Sequence, residues 1–110
     1  MGKLVFITIE KLLEMQANEE KFKLVEVLPE EVYREGHIPG AINISLDSNF
    51  ESLAEKYLEK KDTIVVYCAS YGCQASTKAA EKLLEMGYEN TLDFKAGKRW
   101  WKHSGLLLEK

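Results

Sequence analysis

Thr63-Ile64-Val65-Val66-Tyr67 is an uncharged run that ends in Cys68, passes through the short stretch Ala69 to Gly72 and enters a helix pattern. β-branched and aromatic side chains favour the pleated backbone. A strand with no charge on either side needs cover on both faces, as a central strand of a parallel sheet has. After the loop, Ala79, Ala80, Leu83, Leu84 and Met86 recur at helical spacing, and Gly87 ends the pattern. A buried strand that hands over to an amphipathic helix through so short a loop directs the chain towards an α/β architecture.

The rest of the chain repeats this alternation. Leu4 to Ile7 predicts a strand, and Ile9 to Met15 a helix with Leu12, Leu13 and Met15 at helical spacing. Lys23 to Val27 is a second strand. Pro29 opens a helix over Glu30 to Glu35, and Gly36 with Pro39-Gly40 breaks the chain before a short strand at Ala41 to Ile44. A helix from Asn49 to Leu58 follows, with Ser48 and Glu51 spaced as a capping box. Thr91 to Phe94 is the last strand, Gly97 a turn, and Lys98 to Ser104 a short terminal helix. Such alternation implies right-handed crossovers and a central, mostly parallel five-stranded sheet with helices on both faces. Sites in these sheets lie beyond the carboxyl ends of the strands. The 110 residues show no repeat, low-complexity stretch or linker and are read as one domain spanning 1–110.

Charge narrows the function classes. A formal charge of -3 gives no general attraction to a phosphate backbone or an anionic membrane, so neither nucleic acid nor membrane is expected as a partner. No apolar run approaches the roughly 20 residues of a membrane span, and Met1 to Glu10 lacks the pattern of a signal peptide. A cytoplasmic location is the expectation. The two cysteines, Cys68 and Cys73, are too few for a disulfide framework, and His37 and His103 lie far from them in sequence. No zinc site and no cofactor are expected, which directs attention to thiol chemistry.

A cysteine between a buried strand and a helix start sits where backbone N–H groups and the positive helix end converge, an arrangement that stabilises an anion. On that reading Cys68 titrates below an ordinary thiol and acts as a nucleophile. On the other, Cys68 is a small apolar residue closing a strand, since free cysteine is among the most buried residue types. The residues alone leave both open. Cys73 has a similar pair of readings: packing in the first helical turn, or a partner thiol for Cys68.

Tyr67-Cys68, the loop to Gln74 and the start Ala75-Ser76-Thr77-Lys78-Ala79-Ala80 resemble the active-site segment of rhodanese-like domains. Leu24-Val25-Glu26-Val27, Glu30-Glu31-Val32-Tyr33 and Gly36-His37-Ile38-Pro39-Gly40-Ala41-Ile42-Asn43-Ile44 are similar to the family's upstream signature. Phe94-Lys95-Ala96-Gly97 with Trp100 and Gly105-Leu106 resembles its carboxyl-terminal one. The resemblance implies a rhodanese-like α/β fold. It also implies a sulfurtransferase or persulfide carrier in which catalytic Cys68 takes sulfur from a small sulfane-sulfur donor and gives it to a thiol or protein acceptor. Ala69, Ser70, Tyr71, Gly72, Cys73 and Gln74 then supply the backbone cradle, and Cys73 is a possible resolving thiol. The alternative is a non-enzymatic or redox-sensing module with a reversible Cys68/Cys73 disulfide.

The chain departs from the family pattern in three places. The loop from Cys68 to Gln74 counts seven residues, as in the phosphatases of this fold, but ends in glutamine rather than arginine. Gln74 has no charge to hold an oxyanion bidentately, which disfavours phosphatase or arsenate reductase activity. Glu26-Val27-Leu28 stands where the family commonly has Asp-Val-Arg, removing a cation available to bind a thiosulfate-like dianion or brace the loop. Cys73 lies inside the loop, where catalysis does not require it. Elsewhere His37 is read as bracing its turn, and one of Trp100 and Trp101 as core with the other at the cysteine pocket or a partner surface. Lys95, Lys98 and Arg99 are read as a solvated basic face. The Lys and Glu repeats of Glu51 to Lys61 and Glu81 to Glu85 are exposed helix faces.

Overall fold

The computed structural model describes residues 3–110 and orders the elements as the alternation requires: β1 (Val5–Phe6), α1 (Ile9–Ala17), β2 (Lys23–Glu26), α2 (Glu30–Glu35), β3 (Ile42–Asn43), α3 (Phe50–Tyr57), β4 (Ile64–Tyr67), α4 (Ala75–Glu85), β5 (Thr91–Asp93) and α5 (Gly97–His103). The five strands form one sheet in the order β1-β5-β4-β2-β3, and every neighbouring pair is parallel. β4 is central and wholly buried. Its side chains divide by parity: Ile64, Val66 and Cys68 face a core built with α3 and α4, while Val65 and Tyr67 face a second core built with α1 and α5. Cys68 therefore points towards the α4 side from the carboxyl end of the central strand, where open parallel sheets carry their sites.

Local sequence sets the start of α1 and the end of α4. Thr8 caps α1 by accepting the Lys11 N–H at 3.1 Å. α4 closes through the Gly87 N–H to Leu84 O and the Tyr88 N–H to Leu83 O, the two bonds of a Schellman motif, and Tyr88 packs into the core. The expected Ser48/Glu51 capping box does not form. α3 begins at Phe50 with Asn49 as its cap residue and no side-chain cap bond. Asp47 takes over the turn instead: its carboxylate accepts the Asn49 N–H at 2.8 Å and its carbonyl accepts the Phe50 N–H at 3.1 Å. An Asx turn one residue earlier outcompetes the serine, because aspartate bonds its own following backbone readily.

The polypeptide returns to the sheet end through its last residues. Glu109 exchanges backbone hydrogen bonds with His37, both at 2.9 Å. The buried His37 ring stacks on Tyr33 with centroids 3.9 Å apart, and its Nδ1 lies 3.0 Å from Tyr33 O. His37 thus braces its turn, as the sequence suggests. Trp101 is the core member of the tryptophan pair, with its indole N–H donating to Leu107 O at 3.0 Å. Among the described residues no helix is long and apolar enough to cross a membrane.

Candidate active site

The 68–74 loop rests on the start of α5. The Lys98 N–H donates to Cys68 O at 3.0 Å and the Arg99 N–H to Ala69 O at 2.8 Å, while the Cys73 N–H closes a turn on Ser70 O at 3.0 Å. Gly97 allows this approach: with φ +69, a Cβ added there would lie 2.5 Å from Cys68 O and 2.9 Å from both Ala69 C and Ser70 N. The loop's geometry is therefore held by a helix 30 residues downstream as much as by its own turn.

The structure brings both cysteines together inside this loop. Cys68 is 0% exposed and its thiol donates to Cys73 O at 3.5 Å, and the two thiols are near enough to shift one another's titration. Both are free. Backbone N–H groups of Ala69 and Ala75 are directed at the Cys73 sulfur, and Lys95 adds positive charge beside it, its Nζ donating to Cys73 O at 2.6 Å. The Cys68 sulfur receives the backbone N–H of Ser76 and faces the Ser76 hydroxyl. That hydroxyl is buried and reaches no partner at full hydrogen-bond geometry.

This arrangement corrects the expectation that Cys68 titrates below an ordinary thiol. Burial pushes the Cys68 thiol up, and the nearby Cys73 thiol adds to the rise; the Ser76 hydroxyl and N–H oppose it without cancelling it. Burial acts on Cys73 in the same sense. There it is outweighed by the Cys68 thiol, the Ala75 and Ala69 N–H groups and the Lys95 charge, so Cys73 lies below the usual thiol range. In this resting form the Ala69 and Ala75 amides serve the Cys73 sulfur, and the Ser76 amide serves that of Cys68. The reason is geometric: Cys68 leaves the end of β4 on the core-facing side, and the longer loop folds Cys73 back over it.

Of the other loop residues, Ala69, Tyr71, Gly72 and Gln74 are exposed and Ser70 is half-buried. Gln74 is the cap residue of α4 and makes no side-chain cap bond. Tyr71 and Gly72 form one wall of an open recess of about 350 Å³, and Arg99, Trp100 and His103 of α5 form the other. Trp100 is thus the tryptophan at the pocket, while Trp101 is core.

One reading of the basic residues is overturned. Lys98 belongs to no solvated face: its side chain is 12% exposed, and its Nζ donates to Glu26 Oε2 at 2.9 Å, Gly36 O at 2.7 Å and Val32 O at 3.3 Å. Glu26, wholly buried, also accepts the Tyr67 hydroxyl at 2.8 Å, and that hydroxyl accepts the Ile38 N–H at 3.1 Å. A buried carboxylate requires such partners. With Leu28 in place of the family's arginine, Lys98 supplies the cation that braces this end of the sheet. Sequence reasoning missed Ser76 and this network; the usable signal was the carboxylate of Glu26 between the apolar residues Val25 and Val27. Among the described residues no group of three His, Cys, Asp or Glu side chains is placed to hold a metal ion.

Comparison with known proteins shows the family of this fold. The chain is 38% identical over 85 residues to the adenylyltransferase and sulfurtransferase UBA4 of Meyerozyma guilliermondii, covering 71% of this chain and 20% of that protein. It is 44% identical over 64 residues to the thiosulfate sulfurtransferase PspE of Escherichia coli, covering 58% of this chain and 60% of that one. The chain spans about a fifth of the length of the UBA4 relatives it matches. The crystal structure of the BH2092 protein from Bacillus halodurans superposes with a TM-score of 0.85 at 29% identity, covering 96% of this chain and 76% of that one. Residues 8–104 match the model of the rhodanese-like domain, and the chain belongs to that family.

Proposed function

We propose that the protein is a sulfurtransferase that carries sulfane sulfur as a persulfide on Cys68. The Cys68 thiolate attacks the sulfane sulfur of a small donor; the donor's S–S bond breaks and its electron pair leaves with the remainder of the donor. An acceptor thiolate or protein then takes the terminal sulfur, and the electron pair returns to Cys68. The observation that carries the reading is the place of Cys68 at the carboxyl end of the central strand, with the Ser76 N–H and hydroxyl directed at its sulfur. The raised thiol favours recapture of a proton after each transfer, so discharge leaves a quiet resting state. The family and the sulfurtransferase names of its relatives support sulfur transfer in general.

Intact-mass measurement after exposure to thiosulfate or polysulfide tests this. Cys73→Ser, which cannot resolve the persulfide, is expected to gain one sulfur atom, and Cys68→Ser none; a sulfur adduct retained in Cys68→Ser would remove Cys68 as the carrier. The closeness of Cys73 to the Cys68 thiol favours a second step, in which the Cys73 thiolate attacks the inner sulfur of the Cys68 persulfide, leaving an internal disulfide and releasing hydrosulfide. Loss of two hydrogens relative to the reduced wild type, absent in Cys73→Ser, is its signature.

A further inference from the structure

The recess beside the loop has a chemical character of its own. Two aromatic side chains stand exposed on its walls, Tyr71 at 62% and Trp100 at 43%. Arg99, exposed, lines the recess with them, and among the described residues it makes no ion pair. Along the chain between Asp93 and Glu109 there are four lysine or arginine side chains and no carboxylate, although the protein as a whole is at -3; on its other side Arg99 borders a second recess that it shares with Lys98, Lys102 and Glu35. The loop residues 69–74 also lack a carboxylate. The backbone N–H of Arg99 holds Ala69 O, so the Arg99 main chain is anchored next to the residue that follows Cys68.

We propose that this recess binds the sulfur acceptor, and that the acceptor is a small aliphatic thiol bearing a carboxylate. The carboxylate lies on Arg99 and the carbon chain between Tyr71 and Trp100. The proposal rests on the Cys68 persulfide reading above. A volume of about 350 Å³ is near the lower end of small-molecule pockets and suits a ligand of a few carbons with one polar end. Aromatic walls take the carbon chain without demanding hydrogen bonds. A guanidinium matches a carboxylate with two parallel N–H donors. The acceptor thiolate attacks the outer sulfur of the Cys68 persulfide. A bond forms between the two sulfurs, the bond to Cys68 Sγ breaks, its electron pair stays on Cys68, and the acceptor leaves as a hydropersulfide.

Steady-state transfer from thiosulfate to mercaptohexanoate and to mercaptohexanol, equal in chain length and differing in charge, tests this on the full chain. Wild type is expected to show a KM for the acid about five-fold below that for the alcohol, as one partly exposed guanidinium–carboxylate pair would give. Arg99→Gln erases that preference, while Trp100→Ala raises KM for both acceptors and keeps it. Equal KM values in wild type, or a preference that survives Arg99→Gln, would overturn the assignment of Arg99. If the persulfide forms and discharges to cyanide but to neither thiol, the acceptor site fails and the sulfurtransferase reading stands. If no persulfide forms on Cys68 by mass, that reading fails and this proposal with it.

Discussion

Gly97→Ala tests whether α5 sets the loop. Two costs are separable in the structure. The left-handed backbone at Gly97, φ +69, costs a residue with a Cβ about 1–2 kcal/mol. The new methyl also meets Cys68 O at 2.5 Å and the Ala69 and Ser70 backbone at 2.9 Å, none of which is the movable end of a side chain. Overpacking of this kind costs about 1–3 kcal/mol. Gly40→Ala is the matched control: its φ is +87, and nothing lies within 4 Å of the added Cβ, so it carries the strain alone. At about 4 °C per kcal/mol for a chain of this size, Gly97→Ala should lower Tm by about 8–20 °C and Gly40→Ala by about 4–8 °C. Urea unfolding with both probes of stability, alongside the rate of persulfide formation, measures the effect. Because the clash falls on the backbone of residues 68–70, relief requires the loop to move. Gly97→Ala should therefore lose sulfur loading even at a temperature where it is fully folded, while Gly40→Ala keeps it. A Gly97→Ala protein no less stable than Gly40→Ala, with loading intact, would refute the idea that α5 holds the loop.

Alkylation by iodoacetamide against pH should give a midpoint for Cys68 above that of a free thiol and one for Cys73 below it, since the folded protein holds the Cys68 proton more tightly and the Cys73 proton less tightly. The reverse order, read by peptide mass spectrometry, would contradict the burial argument. Cys73→Ala should lower the Cys68 midpoint, because it removes the neighbouring thiol and its like charge while burial stays; an unchanged midpoint would show that the two thiols do not interact. Lys98→Met leaves the buried Glu26 carboxylate without its cation and should cost about 3–5 kcal/mol in urea unfolding. Combining it with Glu26→Gln should restore most of that loss, and additive losses in the double variant would show that the two side chains are not coupled.

The order of the elements, the parallel sheet and the position of Cys68 at the end of β4 were legible in the chain, because apolar spacing and strand propensity are local properties that burial then rewards. The resemblance in the 68–74 loop and its neighbours pointed to the same residue. Even local rules were decided by competition where two applied: Asp47 displaced the Ser48 cap by bonding first. Tertiary structure alone decided which thiol carries the lower pKa, because that depends on which sulfur the sheet buries and which the loop amides reach. It alone joined Lys98 to Glu26 across 72 residues of sequence, turning an apparent surface cation into the brace of a buried carboxylate. The acceptor recess has the same origin: Tyr71 and Trp100 come from different elements, and only the packing of α5 beneath the loop puts them on facing walls. Charge and pKa are through-space quantities set by solvent exclusion and by neighbours distant in sequence, so linear spacing does not encode them.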